Sequence, residues 1–148
     1  MAPPYETAMT KLVERFRNRI MDNDPLENIL KGDLEFSDKQ IEGFIIEALY
    51  DINEAEPRRG QFDIQRFPKT SLLLDGAMVM MLQGRGLLHL RNQVSYNDAG
   101  FSVNLDDKSG FYAQWLAQMK NSYLMDRKEF KRSLIPRFRG VNSPAGRW

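Results

Sequence analysis

The amino-acid sequence predicts an all-α protein: a helical bundle of about four main helices, an extended loop and an extended C-terminal arm. Three observations carry this. Long segments repeat their apolar residues at three- and four-residue steps, the spacing of one helix face. Ser, Asp, Pro and Gly stand where such segments should open and close. Alternating apolar and polar residues occur only in two short stretches, too brief for a sheet of any size. At 148 residues one domain is expected, and a chain of this length buries roughly 68–70% of its unfolded surface. The bundle is assigned to residues 1–134 and the arm to 135–148.

The first helix is expected from Glu6 to about Met21. Met9, Leu12, Val13, Phe16 and Ile20 form one stripe, and Glu14, Arg15, Arg17 and Arg19 fall mostly away from it. Asn23-Asp24-Pro25 then breaks the chain. Asp24 as N-cap, Pro25 at the first helical position and Glu27 predict a short helix to about Lys31, closed by Gly32.

The second helix has the clearest opening. Ser37 and Gln40 make a capping box, and Phe36 and Ile41 can form a hydrophobic staple across it. Ile41, Phe44, Ile45, Ala48, Leu49 and Ile52 give its core stripe, and Pro57 stops it. Residues 57–68 read as an extended connector in which Phe62, Ile64 and Phe67 pin the loop onto the helices.

The third helix is expected from about Thr70 to Val94. Its first half, Leu72-Leu73-Leu74 and Ala77 to Leu82, leaves almost no polar face, as in a helix central to a bundle or buried between subunits. Gly76, Gly84 and Gly86 each cost about 1 kcal/mol relative to Ala, so a close neighbouring backbone or a local break at Gly84-Arg85-Gly86 is expected. Tyr96 to Gly100 reads as a turn, and Phe101, Val103 and Leu105 as a short extended segment. The fourth helix runs from near Asp106, capped by Asn104 or Asp106, to about Leu134. Phe111, Tyr112, Trp115, Leu116, Met119 and Tyr123 supply an aromatic-rich stripe, and Pro136 ends it. Past Asp126 it turns basic, so its end is expected to project beyond the bundle.

Chemistry-bearing patterns are few. The absence of cysteine excludes disulfides, a thiol nucleophile and cysteine-ligated zinc or iron–sulfur sites. The lone His89 has no second histidine or cysteine to share a metal with, so a structural role is expected. Asp106-Asp107 is better read as complementing a helix dipole than as a cation site. Gly84-Arg85-Gly86 lies inside an apolar helix, not between a strand and a helix N-terminus where phosphate loops sit; Arg85 and Asp75 are expected to need partners, each other or a neighbouring subunit. No catalytic residue, cofactor or metal ligand is assigned. The chain opens without the basic and apolar stretches of a signal peptide, and Asp75, Gln83, Arg85 and His89 interrupt its most apolar window, Leu72 to Leu90, so no membrane role is expected.

The charge balance is informative. A formal net charge of +1 conceals two unlike parts: residues 127–148 hold seven basic residues against one acidic, a net +6, and residues 1–126 hold 14 basic against 19 acidic, a net −5. Phe138 and Trp148 punctuate the basic end. Basic charge interleaved with aromatics suits nucleic acid, and arginine, phenylalanine and tryptophan also anchor protein interfaces. Docking on a protein is the preferred reading, with Lys131, Arg132, Arg137, Phe138, Arg139 and Trp148 as partner-binding residues.

Two stretches resemble a known family. Phe36-Ser37-Asp38-Lys39-Gln40-Ile41-Glu42, opening an amphipathic helix, resembles head–tail connector proteins of tailed bacteriophages. So does the run from Leu74-Asp75-Gly76-Ala77 through Arg91-Asn92-Gln93-Val94-Ser95-Tyr96-Asn97-Asp98-Ala99-Gly100 to Asp106-Asp107-Lys108-Ser109, and the likeness covers about Leu34 to Leu134. The resemblance implies a small helical adaptor of the virion neck without an active site or cofactor. It implies a homo-oligomeric ring, often of twelve copies, beneath the portal vertex, through whose lumen packaged DNA passes. Its partners would be the portal protein and neighbouring neck or tail proteins, reached by the C-terminal arm. The alternative expectation is a small helical nucleic-acid-binding protein using the same basic tail.

Overall fold

The computed structural model describes residues 4–27, 33–91, 97–98, 101–102 and 109–135, with side chains of residues 5–26, 33–86 and 110–135. Four helices form an all-α bundle: α1 (Pro4–Ile20), α2 (Asp38–Glu54), α3 (Thr70–Arg91) and α4 (Ser109–Ser133). Between α3 and α4 the two-residue strands β1 (Asn97–Asp98) and β2 (Phe101–Ser102) pair antiparallel, Asn97 opposite Ser102 and Asp98 opposite Phe101. β1 falls within the stretch read as a turn, and β2 opens the expected extended segment.

The core follows the predicted stripes. Met9, Leu12, Val13 and Phe16 of α1 and Ile41, Ile45, Ala48, Leu49 and Ile52 of α2 are buried. From α3 come Leu72, Leu73, Leu74, Ala77, Met78, Val79, Met81 and Leu82, which makes α3 the central helix. Each buried Val, Leu, Ile, Phe or Met side chain contributes about 1.5–3 kcal/mol by leaving water. Phe36 stacks edge-on against Phe44 at 5.8 Å, and the Phe36 and Ile41 proposed as a staple are both buried.

The capping box forms as the sequence predicts. Gln40 N–H donates to Ser37 Oγ at 3.3 Å, and Ser37 N–H donates to Gln40 Oε1 at 2.9 Å. After α1, Leu26 N–H donates to Asp24 Oδ1 at 2.9 Å, and a 3-10 turn, Pro25–Glu27, follows. The rest of the expected short helix to Lys31 and Gly32 lies outside the described residues, as do the Asn104, Asp106 and Asp107 positions.

α1 closes by a device absent from the sequence reading. Met21 adopts φ +58, the left-handed conformation, and Asp22 N–H reaches back to Arg17 C=O at 3.1 Å. This is the bond of a Schellman cap with methionine where glycine is usual.

Gly84 and Gly86 do not break α3, which runs through both. Gly76 is where a neighbour comes close: a Cβ there would lie 2.9 Å from the Tyr123 ring and 3.0 Å from Ala48 Cβ. Asp75 and Arg85, expected to partner each other or a neighbouring subunit, find partners elsewhere in the chain. Asp75 accepts from Arg19 at 2.7 Å, and Arg85 pairs with Glu35 and lies over the Phe36 ring. Ten residues along a helix set the two positions about 15 Å apart, too far for the side chains to pair, so each found its own neighbour.

Direction follows from these contacts. Phe36 meets Arg85 and Ala48 lies beside Gly76, so α2 and α3 are antiparallel. Tyr112 reaches Leu82 and Tyr123 reaches Gly76, so α3 and α4 are antiparallel too. α2 and α4 therefore run in the same direction.

Candidate functional site

The predicted site begins at the end of α4, and the structure divides its residues. Lys131 is expected at a projecting surface but is buried completely. Its ammonium donates to Arg59 C=O at 2.9 Å and Asn53 C=O at 3.3 Å. Burial holds its pKa below the ordinary lysine value, and the nearby Arg127 charge adds to the effect. The expectation of a projecting helix end is thus corrected: α4 packs down on the connector between α2 and α3.

That connector is built to receive it. Asn53 side chain exchanges two hydrogen bonds with the Phe62 backbone, at 2.9 and 3.0 Å. Phe62, Phe67 and Phe130 form a triangle of rings with centroids 5.5, 5.5 and 5.7 Å apart. Gly60 sits at φ +69, and a Cβ there would meet the Phe62 ring at 2.8 Å and Leu134 at 3.0 Å. The left-handed conformation and the lack of space both require glycine.

Arg127 is likewise committed within the bundle. Its guanidinium and the Tyr123 hydroxyl both donate to Asp51 Oδ2, at 2.5 and 2.6 Å. Burial pushes the Tyr123 pKa well above the phenol range, and the hydrogen bond to the Asp51 carboxylate pushes the same way. Tyr112 donates to Leu82 C=O, and burial raises its pKa as well.

Of the predicted docking residues, Arg132 is exposed at the end of α4, beside Lys128. Arg137, Phe138, Arg139 and Trp148 lie outside the described residues, as does the side chain of His89. The structure adds three residues that the sequence reading had assigned to the core or passed over. Phe111 is 81% exposed, Trp115 49% and Met125 73%. At 100° per residue their side chains fall within about 80° of one another on α4, away from Tyr112, Leu116, Met119 and Tyr123, which pack on α3. Exposed Gln118 and Ser122 stand between Trp115 and Met125 on this outward side.

Comparison with family models, curated proteins and solved structures finds no match.

One further cluster is strongly built. Arg17 donates from Nε and Nη2 to Asp38 Oδ1 at 3.1 and 2.6 Å, and from Nη2 to Phe36 C=O at 2.8 Å. Its Nη1 donates to Asp22 Oδ2 at 2.9 Å and to Asp22 C=O at 3.3 Å. The buried Asp22 also accepts the backbone N–H groups of Glu35 at 2.8 Å and Phe36 at 3.1 Å. Arg17, expected on the solvent side, thus fastens the end of α1 to the entrance of α2. Arg17 and the buried Asp22 are satisfied from within the chain, so they hold the fold together, while the Asp38 carboxylate accepts through Oδ1 and is otherwise exposed. Among the described residues no group of three or more His, Asp or Glu side chains is placed to hold a metal ion, and no helix is long and apolar enough to cross a membrane.

Proposed function

We propose that this chain is a structural head–tail connector of a tailed phage, an adaptor in the virion neck that joins the portal vertex to the tail after DNA packaging. The observation that carries the reading is the outward face of α4. Its inner side is bonded to α2, α3 and the connector, and its outer side presents Phe111, Trp115 and Met125 with Lys128 and Arg132 beyond them. Aromatic and arginine side chains on a rigid helix are the usual anchors of protein interfaces. The resemblance of residues 34–134 to head–tail connectors supports the same reading.

The docking set is revised by the fold. Lys131 is withdrawn, because removing its two carbonyl partners would leave a buried charge uncompensated. Arg132 of α4 and the arm residues Arg137, Phe138, Arg139 and Trp148 remain, proposed to dock on an acidic or apolar portal surface. The protein would act in the virion, as one copy of a ring.

Removing residues 135–148 leaves every core residue of the bundle in place. The truncated chain should fold normally and no longer join a portal ring in a pull-down. Unchanged co-assembly would overturn the arm's role. The alternative, nucleic-acid binding through the basic end, is separated by a salt titration. Tight binding of DNA alone, with affinity falling steeply as salt rises, would favour it over the connector reading.

A further inference from the structure

α3 leaves the core at one turn. Among the described side chains Leu82 is its last buried residue; Gln83, Arg85 and Gly86 are half-buried and Gly84 is exposed. α4 mirrors this at its start. From Gly110 to Ser122 no residue is buried, and Tyr112, Leu116 and Met119 lie half-buried against the core; Tyr123 is the first buried one. Residues 83–91 of α3 and 109–119 of α4 are the antiparallel ends that adjoin. Among the described residues they are tied to the body by few buried apolar groups, and segments of that kind open ahead of the rest of a fold.

One rung of the α3 ladder there carries an extra partner. Leu82 C=O and Gly86 N–H stand four residues apart, the spacing of a helical hydrogen bond. The Tyr112 hydroxyl donates to Leu82 C=O at 2.5 Å and accepts from Gly86 N–H. A side chain that enters this ladder marks a point where helices kink. The same turn is weakened by two glycines. A Cβ on Gly84 would meet nothing within 4 Å, and one on Gly86 would meet the Tyr112 ring at 3.4 Å. Glycine lowers the helical population at such a position about fivefold relative to Ala. Gly76 is required by the approach of α2 and α4, whereas nothing described requires Gly84. Arg85, in the same turn, is held by Glu35 and the Phe36 ring, so the body keeps its grip on α3 up to this point.

We infer that the Leu82–Gly86 turn of α3 is a hinge latched by Tyr112. When the Tyr112 hydroxyl leaves this rung, residues 86–91 of α3 and 109–119 of α4 open together while the rest of the bundle stays folded. The opening needs no partner and does not depend on the function proposed above. It gives the molecule a movable end, at the opposite end of α4 from the Lys131 anchor and the Phe62–Phe67–Phe130 triangle.

Amide hydrogen exchange of the full chain, followed residue by residue by NMR, tests this. The amides of residues 86–91 and 113–119 should exchange through one shared opening, at least about tenfold more often than those of Met78, Val79, Leu124 and Phe130. Their exchange should depend only weakly on added urea, because the opening exposes little surface. Tyr112→Phe alters α4 alone, yet should speed exchange in both segments by the same factor, about fivefold. Gly84→Ala strengthens α3 alone, yet should slow exchange in both, again by about fivefold. A change in either helix that is felt equally in the other is the mark of one coupled opening.

Exchange of residues 86–91 as slow as that of Met78 and Val79 would overturn the inference. So would a graded rise toward each helix end, which would mean simple fraying, or a Gly84→Ala effect confined to α3. Unchanged exchange in both segments of Tyr112→Phe would remove the latch and overturn it as well.

Discussion

Three glycines inside helices should respond to the same substitution with opposite signs. Gly→Ala in a helix interior gains about 1 kcal/mol when the added methyl meets nothing. Among the described residues, Gly84 of α3 and Gly43 of α2 have no atom from outside their own helix turn within 4 Å of the new Cβ. Gly84→Ala and Gly43→Ala should therefore stabilise by about 0.5–1 kcal/mol. Gly76 differs because its Cβ would stand 2.9 Å from Tyr123 Cε2 and 3.0 Å from Ala48 Cβ. The ring cannot swing away cheaply, since its hydroxyl is bonded to Asp51 at 2.6 Å, and Ala48 is part of α2 itself. Overpacking of this kind costs about 1–3 kcal/mol, more than the helical gain, so Gly76→Ala should destabilise by about 1 kcal/mol. For a domain of this size 1 kcal/mol moves the melting temperature by about 2–4 °C. Thermal unfolding followed by circular dichroism should thus separate Gly84→Ala from Gly76→Ala by several degrees. A Gly76→Ala protein that melts at or above wild type would refute the close packing of α2, α3 and α4 at this point.

Further outcomes follow from single contacts. Met21→Gly should raise stability by about 0.5–1 kcal/mol in urea unfolding, since it relieves a left-handed methionine whose exposed side chain packs on little. Asp22→Ala should cost about 3 kcal/mol or more in the same assay, because Glu35 N–H, Phe36 N–H and Arg17 all lose an acceptor. Tyr123 has a raised pKa in the fold, so its contribution is complete below pH 10 and is lost as the pH rises above 10, where the unfolded chain ionises first. Relative to Tyr123→Phe, the wild-type protein should lose up to about 1.4 kcal/mol per pH unit in that range. Lys131, with its lowered pKa, pulls stability the other way as pH rises toward 10.5, but it is present in both proteins and cancels from the difference.

The parts of the fold that were legible in the sequence depend on local chemistry. Ser37 and Gln40 announce the start of α2 because both halves of a capping box lie within four residues. The stripes of α1 and α2 show the core because burial there needs only one face. The end of α1 was hidden, since its left-handed residue is Met21 and methionine carries no signal for that conformation. Lys131 was misread because it stands among Arg127, Lys128 and Arg132, and only the carbonyls of Asn53 and Arg59, more than seventy residues away, draw it inward. In α4 the aromatic stripe merged two faces. Tyr112, Leu116, Met119, Tyr123 and Phe130 form a complete helical series without Phe111 and Trp115, and that surplus was the available signal for an outward surface. The Arg17–Asp22–Asp38 cluster joins residues that no local pattern connects.

The central claim is that this chain is an adaptor held by a portal ring through its C-terminal arm. Native mass measurement of portal rings mixed with the chain tests it most directly. The expected product is a complex in which many copies decorate one portal ring, with bare portal rings when residues 135–148 are removed. Portal rings of unchanged mass with the full chain, or equal loading by the truncated one, would contradict it.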